Sequence, residues 1–324
     1  MTGHSTNTAQ SASPDDAGLS FASELSGFRL CLEERVGHLL RRAYQRHVMI
    51  FHAHLSEFDL TAAQYIALAN LLERGTCSQS DLARFTAIDH TTIRGIVSRL
   101  KKRGLLTTQV DSSDARKVTV SLTSQGEVIA EKAFTHIDDV SEDTFNGIDD
   151  TEKRALKYLL RRVANLSLEV VEGGPQEPVK TPYQLQLDER VGYLLRRAYQ
   201  RHVTIFQYYL NEFQLTAAQY IVLATLLERG ICSQSDLARH TVTDHASIRG
   251  IISRLGGRGL LLSEEDPSDA RKVIVSLTAE GRALSAQASA RIDVVSEETF
   301  NEINEAERVA LMYLLRRIAD IPIA

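Results

Sequence analysis

Three residues at steps of three, Arg41, Tyr44 and His47, recur unchanged as Arg196, Tyr199 and His202. On a helix, residues at that spacing fall within one broad arc, so each trio offers a guanidinium, a phenol and an imidazole to one neighbourhood. A guanidinium can hold a carboxylate bidentately while tyrosine or histidine bonds a second polar substituent. The trios therefore read as sites for a small organic acid. The competing reading is structural: arginines on a long amphipathic helix form ion pairs or face solvent, and a histidine on an apolar face is a satisfied core residue.

A second set of reactive groups lies in HTTIRGIVSRLKKRG, from His90 to Gly104. Helical spacing turns Ile93, Ile96, Val97 and Leu100 inward and leaves Thr91, Thr92, Arg94 and Ser98 outward, with Lys101 and Lys102 in the last turn. Ser247, Arg249 and Ser253 hold the matching places of HASIRGIISRLGG. An outward arginine on such a helix can pair bidentately with guanine in a major groove, or contact phosphate. Enzymatic machinery is missing. The chain has no glycine-rich phosphate loop, nucleophile elbow or paired-cysteine metal motif, and its acidic residues are scattered. A zinc reading of His38, His47, His52 and His54 fails on spacing, because His52 and His54 diverge on a helix and the repeat has Tyr193, His202, Gln207 and Tyr209 instead. No metal or cofactor is expected. Cys31, Cys77 and Cys232 are too few and too odd for a disulfide framework, and Cys77 and Cys232 read as small buried apolar residues.

The elements that must position these groups are written twice. Glu33 to Asn165 returns without insertion or deletion as Asp188 to Asp320, an offset of 155, and the copies agree at about two positions in three, which marks duplicated domains. The expected organisation is a disordered tail over 1–26, a first domain over 27–168, a linker over 169–184 containing a Gly-Gly and prolines, and a second domain over 185–324. Within a copy, a long amphipathic helix from Glu33 to Phe58 precedes a second helix capped by Thr61 and ended by Gly75. A short helix after Ser78 and the helix capped by Asp89 form a helix-turn-helix candidate. LLTTQV and KVTVSL, on either side of DSSDAR, read as an antiparallel hairpin. A long helix from Thr123 to about Ile148 and a last one, DTEKRALKYLLRRVANL, close the copy. The fold class is mainly α with small β-hairpin wings. A net charge of −5 argues against a uniformly basic coat but leaves room for a local basic face. No apolar stretch approaches 18 residues and no secretory start is present, so the expectation is a cytoplasmic protein with no membrane association.

LLERGTCSQSDLAR, DHTTIRGIVSRLKKRGLL and above all DSSDARKVTVSLTSQG, which recurs as DPSDARKVIVSLTAEG, resemble the MarR family of winged helix-turn-helix transcriptional regulators. The resemblance covers both copies and leaves out the tail and linker. It implies two winged-helix domains joined by long dimerisation-type helices, here as a pseudo-dimer within one chain, or else a dimer of chains with four wings. It implies a double-stranded, pseudo-palindromic DNA operator as partner and repression as the mode of action. It implies that Asp114 orients Arg116, and Asp269 orients Arg271, for entry of the arginine into a minor groove. LLRRAYQRH resembles the first helices of members that respond to aromatic carboxylates, which makes a hydroxybenzoate-like acid the expected effector of the Arg41 and Arg196 trios. Cys31 resembles the reactive cysteine of peroxide-sensing members, but the second copy has Gln186 there. Two other readings stay open: a redox-sensing regulator acting through Cys31, and a winged-helix scaffold that binds protein. The copies differ where DNA would be met: Lys101 and Lys102 become Gly256 and Gly257, Thr91 becomes Ala246, Ile88 becomes Thr243 and Phe85 becomes His240. Loss of two cations predicts a weaker grip by the second copy.

Overall fold

The computed structural model describes residues 34–110, 118–166, 185–241, 243–267 and 269–320. They fall into two compact units, one built from Glu33–Tyr209 with Ile292–Ala324 and the other, among the described residues, from Leu210–Arg291. The division therefore runs through the second copy.

In the first unit, helix α1 (Val36–His54) leads into α2 (Ala62–Arg74), which opens on a reciprocal capping box: Gln64 N–H donates to the Thr61 hydroxyl and Thr61 N–H to the Gln64 side chain. Gly75, at φ 74°, ends it. Strand β1 (Cys77–Ser78) follows, then α3 (Gln79–Thr86), capped by Ser78, and α4 (His90–Lys102), capped by Asp89, which accepts from Thr92 N–H at 2.8 Å. Strands β2 (Leu106–Val110) and β3 (Val118–Leu122) pair antiparallel from Leu106 opposite Leu122 to Val110 opposite Val118. β1 adds to the free side of β3, with Cys77 opposite Val120, so the hairpin expected from sequence is the larger part of a three-stranded sheet. Leu68, Leu82, Ile93, Ile96, Leu100 and Val120 form the core beneath these elements.

The helix expected from Thr123 to about Ile148 is two: α5 (Ser124–Thr135) and α6 (Ile137–Thr144), separated at His136. Thr135 donates its hydroxyl to the Lys132 carbonyl at 2.7 Å, and His136 N–H donates to Ala133 three residues back. Local bonding of this kind competes with the helical ladder. In the second copy Ala290 replaces Thr135, and the corresponding helix runs unbroken. Helix α7 (Asp150–Val163) closes the first copy on a capping box between Asp149 and Glu152.

The first unit also holds α8 (Val191–Leu210, less its last residue) and α13 (Glu305–Ile318) of the second copy. With α1 and α7 they share one apolar core, in which Leu39, Leu40, Leu156, Leu160, Leu194, Leu195, Leu311 and Leu315 are buried. The contacts repeat under the 155-residue offset, as a two-fold axis requires. Arg162 pairs with Glu307 at 2.7 Å, and Arg317 pairs with Glu152. Arg46 donates to the carbonyls of Ile318 at 2.8 Å and Thr144 at 3.2 Å, while Arg201 donates to those of Val163 at 2.8 Å and Thr299 at 2.9 Å. Tyr44 and Tyr199 meet with ring centroids 6.1 Å apart. The pseudo-dimer is thus built inside one chain.

The second unit repeats the winged-helix order: α9 (Ala217–Arg229), β4 (Cys232–Ser233), α10 (Gln234–Thr241), α11 (His245–Gly257), β5 (Leu261–Asp266), β6 (Asp269–Leu277) and the start of α12 (Ala279–Thr299). Its sheet has the same order, β4-β6-β5.

Candidate nucleic-acid interface and effector cavity

Helix α4 is amphipathic in the sense its sequence predicts. Ile93, Ile96, Val97 and Leu100 are buried, whereas Thr91, Thr92, Arg94, Ser98, Lys101 and Lys102 are exposed. Lys101 reaches across to the wing and donates to the Thr108 hydroxyl at 2.7 Å, which ties the basic helix end to β2. Arg103 turns away and donates to the carbonyls of Phe58 and Asp59. On α11, Ser247, Arg249 and Ser253 are exposed in the same pattern over buried Ile248, Ile251, Ile252 and Leu255. Arg99 and Arg254 are further exposed cations on these two helices, which the apolar spacing did not single out. Asp114 and Arg116 lie outside the described residues. Asp269 opens β6 opposite Asp266, and Arg271 follows it within that strand.

The trios of the long helices separate. Tyr44 and His47 line a cavity in the first unit; Arg41, Arg196, Tyr199 and His202 do not. Arg196 is buried, and its guanidinium donates to the carbonyls of Thr86 and Ala87, so it holds the end of α3. Arg41 is near enough to Tyr199 for the two to interact electrostatically. His202 is buried with Nδ1 at 2.9 Å from the Thr299 hydroxyl, and His47 makes the same contact with Thr144 at 2.9 Å. Burial lowers both imidazoles from 6.5 to about 4, so both rings are neutral at pH 7. Each ring edge rests on a glycine of the opposite long helix. A Cβ at Gly192 would sit 2.1 Å from His47 Nε2, and one at Gly37 would sit 2.0 Å from His202 Nε2. Burial, reinforced by Arg41 and Arg42, lowers His38 to about 4 as well.

The cavity holds about 820 Å³ of empty space, including its open mouth, and lies where α1, α2 and α6 meet the start of α8. Val48, Phe51, Ile66 and Val140 give it apolar walls. Two guanidiniums line it. Arg74, at the end of α2, lies 4.7 Å above the Phe85 ring and 3.8 Å from the Glu73 carboxylate. Arg190, just before α8, lies 5.2 Å above Phe134 and is paired with Asp138. Asp188 is the one acidic residue among the lining side chains. Asn70 donates to the Ile66 carbonyl at 2.8 Å, and the Tyr65 hydroxyl is buried. Aromatic faces, a net cationic lining and a few polar groups suit a planar organic anion. The sequence reading missed Arg74, Arg190, Asn70 and Tyr65. Arg74 is legible in sequence only as a cation complementing a helix end, and Arg190 reaches the cavity from the other copy.

Cys77 is half-buried and unpaired, and burial pushes its thiol up to about 12, which fits a packing residue rather than a thiolate. Cys31 lies outside the described residues. Among the described residues, no helix is long and apolar enough to cross a membrane.

The model of the MarR family matches residues 58–117 and again residues 215–273. Among curated proteins, the HTH-type transcriptional repressor NicR of Pseudomonas putida is 45% identical over 140 residues, covering 43% of this chain and 87% of the relative. The chain belongs to the MarR family. It is a tandem MarR protein, since one relative's length is matched by less than half of the chain while the family pattern occurs twice. The transcriptional regulator HosA of Escherichia coli is 31% identical over 136 residues, 42% of this chain and 99% of that protein. A solved structure of BpsR from Bordetella bronchiseptica, described as showing regulation of DNA binding by 6-hydroxynicotinic acid, is 49% identical, covers 40% of this chain and 98% of its own, and has a TM-score of 0.39. MarR proteins are transcriptional regulators and not enzymes, and this tandem chain is a DNA-binding regulator of that type.

Proposed function

We propose that this chain is a cytoplasmic repressor that binds a pseudo-palindromic operator as a single-chain pseudo-dimer and leaves it when a small aromatic carboxylate occupies the first-unit cavity. The observation that carries the effector part is the cavity itself, with Arg74 and Arg190 over aromatic rings where the long helices meet the winged-helix unit. A planar acid held there touches α2 and the start of α8 together. It therefore changes the free energy of any arrangement in which those two elements move apart or together, which is the differential affinity that release of DNA requires. Arg74, Arg190, Tyr44 and His47 are the proposed effector contacts; Arg41, Arg196, Tyr199 and His202 act as helix-packing residues in this reading.

On the DNA side, Arg94 and Arg249 read bases, Thr91, Thr92, Ser98, Ser247 and Ser253 contact the groove or phosphates, and Lys101 and Lys102 neutralise phosphate. Arg116 and Arg271, with Asp114 and Asp269, enter the minor groove, where width and potential are read more than base identity. A bidentate arginine–guanine contact is worth about 1–3 kcal/mol. Arg94→Ala should therefore weaken binding to the chain's own upstream intergenic DNA by roughly 5- to 150-fold. Arg116→Ala and Arg271→Ala test the wings in the same titration. Lys101→Ala with Lys102→Ala should flatten the slope of log K against log salt by about 2, one step per lost phosphate contact. Fluorescence anisotropy over a salt series reads both effects. Light scattering of the complex should give one chain per operator; two chains would replace the single-chain arrangement with a four-wing assembly.

Adding 4-hydroxybenzoate or 6-hydroxynicotinate should raise the Kd for operator by roughly 5- to 150-fold, the usual range of allosteric coupling. Arg74→Ala should leave DNA binding intact and reduce that response. A wild-type Kd indifferent to the acids, or a response unchanged in the Arg74 variant, sinks the effector reading.

A further inference from the structure

Tyr65 and Tyr220 occupy the same place in the two copies, yet their hydroxyls differ in what they meet. Tyr220 is buried, and its hydroxyl lies 3.3 Å from that of Ser289, itself fully buried. The position of Ser289 in the first copy is Phe134, which has no group to offer. Tyr65 is as buried as Tyr220, but its hydroxyl has no hydrogen-bond partner among the described residues. A buried hydroxyl left unbonded is costly, and native proteins rarely keep one without a use.

The Tyr65 ring packs against Phe51 with centroids 5.5 Å apart, and Phe134 is held in place beneath the Arg190 guanidinium. Tyr65 and Phe51 both line the cavity. Arg190 is already engaged by Asp138, whereas Arg74 stands 3.8 Å from Glu73, a looser pairing. A ligand carboxylate is therefore drawn to Arg74. Tyr65 and Arg74, both on α2, both line the cavity, so an acid anchored at Arg74 has Tyr65 among the groups that its ring can meet.

We infer that the Tyr65 hydroxyl is the specificity-determining group of the first-unit cavity, bonding a hydroxyl or equivalent polar substituent on the ring of the bound acid. This contact belongs to one copy only, because the second copy has committed its tyrosine to Ser289. The inference rests on the aromatic-acid reading above and adds to it the ring substituent that is recognised.

Calorimetric titration of the full chain with 4-hydroxybenzoate against benzoate, and with 6-hydroxynicotinate against nicotinate, tests it. The wild type should prefer the hydroxylated acid of each pair by on the order of tenfold, one charge-neutral hydrogen bond. Tyr65→Phe should remove the preference while leaving affinity for the unsubstituted acid unchanged, and should not lower the thermal midpoint, since no internal bond is lost. Tyr220→Phe should keep the preference. Phe134→Ser, which restores an internal partner to Tyr65, should weaken it. Persistence of the preference in Tyr65→Phe, as when the hydroxyl serves only a trapped water, overturns the inference, and so does its loss in Tyr220→Phe. Equal wild-type binding of both acids of each pair overturns it while sparing the aromatic-acid reading; no binding of any of the four overturns both.

Discussion

Gly192→Ala is expected to destabilise the protein, although glycine-to-alanine exchange inside a helix ordinarily gains about 1 kcal/mol. The added Cβ would stand 2.1 Å from His47 Nε2. The ring cannot withdraw without giving up its 2.9 Å contact with Thr144, and it is wedged where α1 meets α8. Overpacking of this kind costs about 1–3 kcal/mol and sometimes more, which outweighs the gain in helix propensity. Gly37→Ala should behave alike, since His202 Nε2 would be 2.0 Å away and His202 is the more buried ring. Urea midpoints of the two variants and of the pair should fall together. Adding His47→Ala to Gly192→Ala should restore part of the loss, because the collision is gone. A Gly192 variant as stable as the wild type would show that the two helices separate at little cost, and would sink the account of these histidines as packing wedges.

Acid should loosen the long-helix core before the hydrogen-bonded aspartates titrate. His38, His47 and His202 are lowered from 6.5 to about 4. An imidazole whose folded value lies below its unfolded value binds more protons in the unfolded chain, so stability falls as pH drops through 6.5 and the loss is complete near 4. At about 1.4 kcal/mol per pH unit, each histidine contributes on the order of 3 kcal/mol to that slope. Asp81, Asp89, Asp149, Asp236 and Asp244 are lowered by hydrogen bonds at helix starts, so their contribution is lost only below 3.8. Glu73, raised by burial, acts in the opposite direction. Between pH 6.5 and 4 the histidines lower stability as the pH falls while Glu73 offsets part of the loss, and the histidine variants separate the two. Urea midpoints across it should drop steeply for the wild type and less for His47→Gln with His202→Gln, which keep a polar group for Thr144 and Thr299. A wild-type stability that is flat over this interval, or slopes that match in the variant, would falsify the linkage.

Much of the winged-helix unit was legible because its signals are local. Thr61, Ser78 and Asp89 cap helices where a short polar side chain precedes an apolar run, and the 3.6-residue spacing of Ile93, Ile96, Val97 and Leu100 fixed which face of α4 is outward. The break at His136 was not legible, since it depends on one threonine hydroxyl choosing a carbonyl. Neither was β1, whose two residues become a strand only because β3 offers a free edge.

The cavity shows the same limit more sharply. Period-three spacing grouped Arg41, Tyr44 and His47 correctly on one helix, but spacing cannot say what stands opposite each of them. Arg196 turned to the carbonyls that end α3, and the histidines turned to threonines and glycines. The cations that do line the cavity come from the end of α2 and from the second copy's approach to α8, separated by more than a hundred residues of chain. Caps, periodicity and an unbroken repeat act over a few residues, so the amino-acid order alone encodes two winged-helix units, the starts of their helices and the outward faces of α4 and α11. Which guanidiniums meet in one cavity, and which tyrosine hydroxyl is left without a partner, depend instead on how helices distant in the chain pack against one another.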